Sequence, residues 1–172
     1  SLKFAPDAVF ITVGTPPLPN GEADLNHVIT ATLEAVAHTK ESTAIIIKST
    51  VPPGTAMMLE KMIRDKGYKH PIISNPEFLR EGNAIKDFMN PDRIVIGTNG
   101  GGGIDLMEKI YKHFIEKSHN ILFTCQTSSE LAKYASNAFL ATKIAFINEM
   151  ANLCEKTGAD IDLVAKALGL DP

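Results

Sequence analysis

Between Glu77 and Gly82 the sequence sets two carboxylates, a guanidinium and two large apolar side chains within six positions, Glu77-Phe78-Leu79-Arg80-Glu81-Gly82. Carboxylates can relay protons, and a guanidinium can hold an anion through paired hydrogen bonds. The stretch opens with Asn75-Pro76. Pro76 fixes its own φ and drives Asn75 out of the helical region, so the chain must turn here. Taken alone, Glu77, Arg80 and Glu81 read as a solvated turn. A second pair, Lys133 and Asn137, lies four residues apart in a helical run and so shares one face. An ammonium and a carboxamide could be aimed there at one small polar group. The plainer alternative is an exposed helix edge with Glu130 and Lys133 paired at i, i+3, and residue physics alone favours it.

The elements that must position these groups follow from periodicity. Ala8 to Val13 and Ala44 to Ser49 are apolar, β-branched runs, as expected of strands buried on both faces. Between them Leu25, Val28, Ile29, Leu33 and Val36 repeat at helical spacing behind Asp24, an N-cap candidate. Strand, helix, strand in that order is a βαβ unit. A helix over 55–66 is expected to turn Met58, Leu59, Met62 and Ile63 inward and to stop at Gly67. Strands are expected at 71–74, 93–97 and 120–124, with a short helix at 84–89 and another over 104–115 that buries Met107, Ile110, Tyr111 and Phe114. The fold class is therefore α/β, a parallel sheet wrapped by helices. Its strands end in ligand-type loops: Gly14-Thr15-Pro16 after the first, and Ser49-Thr50 before Pro52-Pro53-Gly54 after the second. Plain turn and capping roles are open to these residues as well. The run Gly100 to Gly103 invites a phosphate-loop reading, but no GxxxxGK[ST] or GxGxxG accompanies it, so a loose surface connection is expected.

The pattern changes after Cys125. Thr127-Ser128-Ser129-Glu130 has the form of a capping box, and helical sequence then runs to Thr157, where Gly158 stops it. So long a helix, apolar on several sides, needs partners on more than one of them. We expect a spine that joins two domains and packs against a second subunit; a helix caught between domains of one monomer would carry the same pattern. Residues 1–125 and 126–172 are the expected domains. Asp160 is expected to cap a last helix over 161–168.

Composition narrows the classes of function. The 172 residues are 44% hydrophobic and 22% charged, with net charge −3, the balance of a soluble globular chain. No basic stripe suggests nucleic acid, no apolar run could span a membrane, and no apolar leader opens the chain. Cys125 and Cys154 stand far apart and the five histidines are scattered, so neither a disulfide framework nor a metal site is expected. A reducing, cytoplasmic setting fits.

Taken together, the motifs closely resemble the UDP-glucose 6-dehydrogenase family over nearly the whole chain. The resemblance rests on Val13-Gly14-Thr15-Pro16, Lys48-Ser49-Thr50-Val51-Pro52, Asn75 to Gly82, Asp87-Phe88, Pro91-Asp92-Arg93-Ile94-Val95-Ile96-Gly97, Glu130-Leu131-Ala132-Lys133-Tyr134 and Asn137-Ala138-Phe139-Leu140-Ala141. The stretch Pro91 to Gly97 favours the UDP-glucose branch over GDP-mannose and UDP-N-acetylmannosamine dehydrogenases. What the resemblance implies is the second half of a Rossmann-like cofactor domain followed by a long central helix that forms a homodimer core through 128–157. It implies two oxidations at C6 of UDP-glucose with two NAD, giving UDP-glucuronate. By the same resemblance Lys133 and Asn137 stabilise the oxyanion at C6, and Thr50 and Glu77 position the catalytic water and take its proton. Glu77, Phe78, Leu79, Arg80 and Glu81 hold the nucleotide sugar with Lys133 and Asn137. Gly14, Thr15, Pro16, Ser49, Thr50 and Glu81 contact NAD. Two departures stand against this. The family's dinucleotide fingerprint and its nucleophilic cysteine loop are both missing from the 172 residues, so this chain alone is expected to be inactive. A sheet edge left without its neighbouring strands is also expected to favour association. A non-catalytic nucleotide-sugar binding or dimerisation module is the alternative of a different class.

Overall fold

Four consecutive apolar residues, Ala44 to Ile47, form a strand in which every side chain is buried. Such a strand needs cover on both faces, and β-branched isoleucine suits that setting. The computed structural model describes residues 5–170, the burial of positions 101 and 102 excepted. The elements run β1 (Ala8–Ile11), α1 (Asn26–His38), β2 (Ala44–Ile47), α2 (Thr55–Asp65), β3 (Ile72–Ser74), α3 (Ala84–Met89), β4 (Ile94–Gly97), α4 (Gly101–Ile110), α5 (Lys112–Glu116), β5 (Ile121–Thr124), α6 (Gln126–Thr157) and α7 (Ile161–Leu168). The five strands form one sheet in the order β1-β2-β3-β4-β5. Ile45, Ile47 and Ile72 face one core, built with Val28 and Val36 of α1 and Leu59 and Ile63 of α2. Ala44, Ile46 and Ile73 face the other, built with Met107, Tyr111 and Phe114. This alternation is the strand period of two. β1 lies at the sheet edge and leaves Phe10 partly exposed.

The α/β class is as expected, but the sheet is not wholly parallel. β1, β2 and β3 are parallel, β4 and β5 are parallel, and β3 meets β4 antiparallel through the Ser74–Gly97 pair. The reason lies in the connection. A parallel return needs a crossover packed on the sheet face. The only helix between β3 and β4 is the six-residue α3, which buries no residue. The chain makes an excursion from the end of β3 and comes straight back beside it.

Other expectations shift in detail. Asp24 does not cap α1 in the N-cap position; its Oδ1 accepts the Asn26 amide at 2.9 Å, and Leu25 is the residue at the cap. Met58 and Ile110 are each 38% exposed, because Leu59, Ile63, Met107 and Tyr111 take the inward faces. The glycine run is not a loose connection, since Gly101 to Gly103 form the first turn of α4. Gly67, with φ of 88°, ends α2 as expected, its amide donating to Arg64 O.

α6 contains 32 residues, about 48 Å at the usual helical rise. The chain divides within it into two compact units, one through Tyr134 and one from Ala135. In the second unit Gly158 closes α6 with φ of 74°, and the Asp160 carboxylate caps α7 by accepting the Asp162 and Leu163 amides. Phe139, Leu140, Ile144 and Phe146 of that unit are more than half exposed. Among the described residues no helix is long and apolar enough to cross a membrane.

Candidate active site

The excursion between β3 and β4 encloses a cleft of about 430 Å³. Its walls are Asn75 to Arg80 on one side and Asn90 to Ile94 on the other, with Lys86, Asp87 and Phe88 of α3 between them. Lys48, just past the end of β2, and Tyr111, between α4 and α5, complete the lining.

Asn75 is the keystone of the turn. Its amide donates to Ile47 O at 2.9 Å, and its side-chain Nδ2 donates to Val95 O at 2.9 Å. The side chain thus bridges to β4 just beyond the last paired residues. Its Oδ1 accepts the buried Tyr111 hydroxyl at 2.5 Å. Burial pushes that phenol up to about 12, against the pull of the Asn75 bond, so Tyr111 stays a neutral donor. Pro76 then turns the chain and presents Glu77.

Glu77 does not sit in a solvated turn. Its Oε1 lies 2.9 Å from Lys133 Nζ, and its Oε2 accepts the Leu79 amide. Two cations lie over the Phe78 ring: the Arg93 guanidinium is 4.1 Å from its centroid and Lys133 Nζ is 5.5 Å from it. Arg80 is drawn aside. It makes a two-pronged pair with Asp87, Nη2 to Oδ1 at 2.6 Å and Nε to Oδ2 at 2.9 Å, while its own amide donates to the same carboxylate. The Arg80 hydrogen bond holds the Asp87 carboxyl down at about 2.

Lys133 reaches Glu77 because the start of α6 is buried. The expected capping box does not form. Helix begins at Gln126, and Glu130 turns away from its own helix to cap α2, accepting the Gly54 amide at 2.6 Å and the Ala56 amide at 2.7 Å. Gly54, with φ of 94°, leaves these amides open at the head of α2 without a side-chain cap of its own. Burial pushes the Glu130 carboxyl up, while the Ala56 and Gly54 amides pull it back. The expected Glu130–Lys133 pair is absent for the same reason, and the exposed-edge reading of Lys133 is overturned: the residue is 6% exposed. Gln126, fully buried, anchors the same turn by donating to Ile72 O at 2.6 Å and to Glu60 at 2.9 Å.

The remaining residues singled out in the sequence fall elsewhere. Asn137 is exposed one turn beyond Lys133, in the second unit. Glu81 is exposed and does not line the cleft, and neither does Thr50. Thr50 is tied instead to the neighbouring strand end, its carbonyl accepting the Thr15 hydroxyl at 2.8 Å. Ser49 donates its hydroxyl to Val13 O at 2.6 Å. Gly14 stands beside open space: a Cβ built on it meets no atom within 4 Å. Accessible backbone at Gly14 and Pro16, with the lone pairs of the Thr15 and Ser49 oxygens, suits the polar groups of a dinucleotide laid across these carboxyl ends. Cys125 is exposed and outside the cleft lining, its thiol held below the ordinary range by the Ser128 hydroxyl. Cys154 is a buried thiol. Lys48, Arg93 and Tyr111 have no part in the site on sequence grounds, and Asn75 enters it there only as the residue that Pro76 turns. A lysine closing a strand of buried isoleucines is the available signal for Lys48; nothing local marks Arg93 or Tyr111, or the side-chain bonds of Asn75.

Two family models match. Residues 3–115 match the NAD binding domain of the UDP-glucose/GDP-mannose dehydrogenase family, and residues 127–172 match its central domain. A UDP-glucose 6-dehydrogenase of Rickettsia bellii is 52% identical over 165 residues, covering 96% of this chain and 38% of that protein. One from Rhizobium meliloti is 48% identical, covering 97% and 39%. Among solved structures, a UDP-glucose dehydrogenase from Pyrobaculum islandicum superposes with a TM-score of 0.87 at 42% identity, over 96% of this chain and 39% of that one. A GDP-mannose dehydrogenase ternary complex from Pseudomonas aeruginosa gives 0.84 at 34%, over 96% and 39%. The chain thus spans under two fifths of the length of these relatives. The chain belongs to the UDP-glucose/GDP-mannose dehydrogenase family.

Proposed function

We propose that this chain forms part of a nucleotide-sugar dehydrogenase that oxidises UDP-glucose to UDP-glucuronate with two NAD. The observation that carries the reading is the buried Lys133 ammonium, 2.9 Å from the Glu77 carboxylate at the cleft. A fixed cation beside a carboxylate is what oxidation of a primary alcohol asks for: one group steadies the developing alkoxide and the other accepts its proton. NAD, when bound, supplies the hydride acceptor. Gly14, Thr15, Pro16, Ser49 and Thr50 would hold it at the carboxyl ends of β1 and β2, with Glu81 as a further contact. Phe78, Leu79 and Arg80 would hold the nucleotide sugar, and Thr50 and Glu77 would orient the water of the second step. Asn137 would add its carboxamide to the oxyanion partner Lys133. In domain terms, 1–125 would be cofactor-domain sequence and 126–172 the start of the central helical domain. The exposed Phe139, Leu140, Ile144 and Phe146 support a homodimer through α6, and the free thiols of Cys125 and Cys154 support a reducing, cytoplasmic setting.

The test uses the full-length gene product with UDP-glucose, GDP-mannose and UDP-N-acetylmannosamine, following NADH absorbance. We expect two NADH per UDP-glucose, and Lys133→Met to lower kcat by about 10²-fold, the usual cost of an oxyanion donor. Turnover of another nucleotide sugar instead would assign a sister dehydrogenase. Binding of a nucleotide sugar without NADH formation would leave a binding module.

A further inference from the structure

Lys48 has no part in the reading above, yet it lines the same cleft. It directly follows β2, the fully buried strand, and is itself half-buried. Its Nζ reaches two oxygens of one residue, Asn75 O and Asn75 Oδ1, both at the long distance of 3.4 Å. Asn75 is the residue that turns β3 toward Glu77, and Oδ1 is already held at 2.5 Å by the Tyr111 hydroxyl. Two weak acceptors do not satisfy an ammonium with three donors, so the charge is poised for more. The charged groups facing it are Glu77, on the turn after β3, and Lys133, on α6. Asp92 and Arg93, just before β4, line the same cleft.

We propose that Lys48 is a positioning residue of this site: it clamps Asn75 from the strand behind and places a second positive charge beside the Glu77–Lys133 pair. This deepens the dehydrogenase reading and rests on it for its catalytic consequence. With Lys133 2.9 Å from its Oε1 and Lys48 clamping the residue two positions before it, the Glu77 carboxylate is held correctly aimed, and the two ammonium groups against one carboxylate leave a surplus positive charge where an alkoxide would develop. Lys48 acts through Glu77 and Asn75 and needs no contact with substrate. Its own titration reports the cluster: burial lowers it, Glu77 raises it and Lys133 lowers it, for a net value of about 8.

The experiment has two arms on the full-length protein. In the first, Lys48→Met should lower kcat by about tenfold or more while the KM for the nucleotide sugar moves little, with partial recovery in Lys48→Arg. In the second, labelled-lysine NMR follows the Lys48 titration without any turnover. We expect a midpoint near the lowered value, moved down by Glu77→Gln and up by Lys133→Met. A Lys48→Met enzyme with wild-type kcat, or a Lys48 midpoint that neither substitution moves, overturns the proposal. If the wild-type protein forms no NADH from any nucleotide sugar, the dehydrogenase reading fails, and the titration arm still decides whether Lys48 belongs to the cluster.

Discussion

Replacing Glu130 by alanine should unfasten two elements that are distant in sequence. Its carboxylate accepts the Gly54 and Ala56 amides at 2.6 and 2.7 Å, and the residue is only 2% exposed. Burial pushes the carboxyl up, so desolvation already offsets part of what those bonds contribute, and the low end of the usual ranges applies. Two orphaned amides at about 1 kcal/mol each give a loss of about 2 kcal/mol for Glu130→Ala, in line with deleting a helix cap. Glu130→Gln keeps one acceptor and should lose about 1 kcal/mol. Urea unfolding of the full-length protein at neutral pH reads this as a midpoint lower by about 1 M for the alanine variant at an ordinary m-value. Hydrogen exchange should show the Gly54 and Ala56 amides losing protection together. The sign of the pH effect also follows. A carboxyl raised in the fold favours its protonated form there, so wild-type stability falls relative to Glu130→Gln as pH rises through the folded value. A Glu130→Ala protein within about 0.5 kcal/mol of wild type, with both amides still protected, would refute the reasoning.

Two further outcomes are expected. Gly97→Ala drives a Cβ to 2.6 Å from Ser129 Cβ, 2.7 Å from Gln126 Cα and 2.8 Å from Cys125 O, so it should destabilise by about 1–3 kcal/mol or more in urea unfolding and lower kcat by disturbing the turn behind Lys133. Lys48, lowered from 10.5 to about 8, binds fewer protons folded than unfolded in that window; wild-type stability should therefore rise relative to Lys48→Met as pH climbs from about 8 to 10.5, measured by urea midpoints across the range.

Much of the fold was legible because it is written locally. The isoleucines of β2, the spacing of Val28 and Val36 in α1 and the stop at Gly67 all declare themselves within a few residues. The reversal at β4 was not legible, since a 19-residue connection looks the same whether or not its helix packs on the sheet. The site divides in the same way. The turn at Asn75-Pro76 and the acidic and aromatic residues after it could be picked out as a candidate. The role of Glu130 could not: its local pattern, Thr127 to Glu130, matches a cap for its own helix, and its actual partners lie 74 and 76 residues earlier. Lys133 suffered from the same error, because the partner expected for it was already engaged elsewhere. Nothing in a one-dimensional pattern reveals that a better acceptor geometry exists across the fold.

The closed excursion between β3 and β4 has a consequence for how this site can vary. Its two ends are stitched together by the Ser74–Gly97 pair and by the Asn75 side-chain Nδ2 donating to Val95 O. Apart from Lys48 and Tyr111, every residue lining the cleft comes from the single stretch 75–94. Outside Asn75, Glu77 and Phe78, which meet Tyr111, Lys48 and Lys133 of the scaffold, a pocket written in one uninterrupted passage can be rewritten by a local insertion or exchange. Such an arrangement makes the stretch a cassette: relatives that share the sheet can diverge in what they hold by trading this one segment.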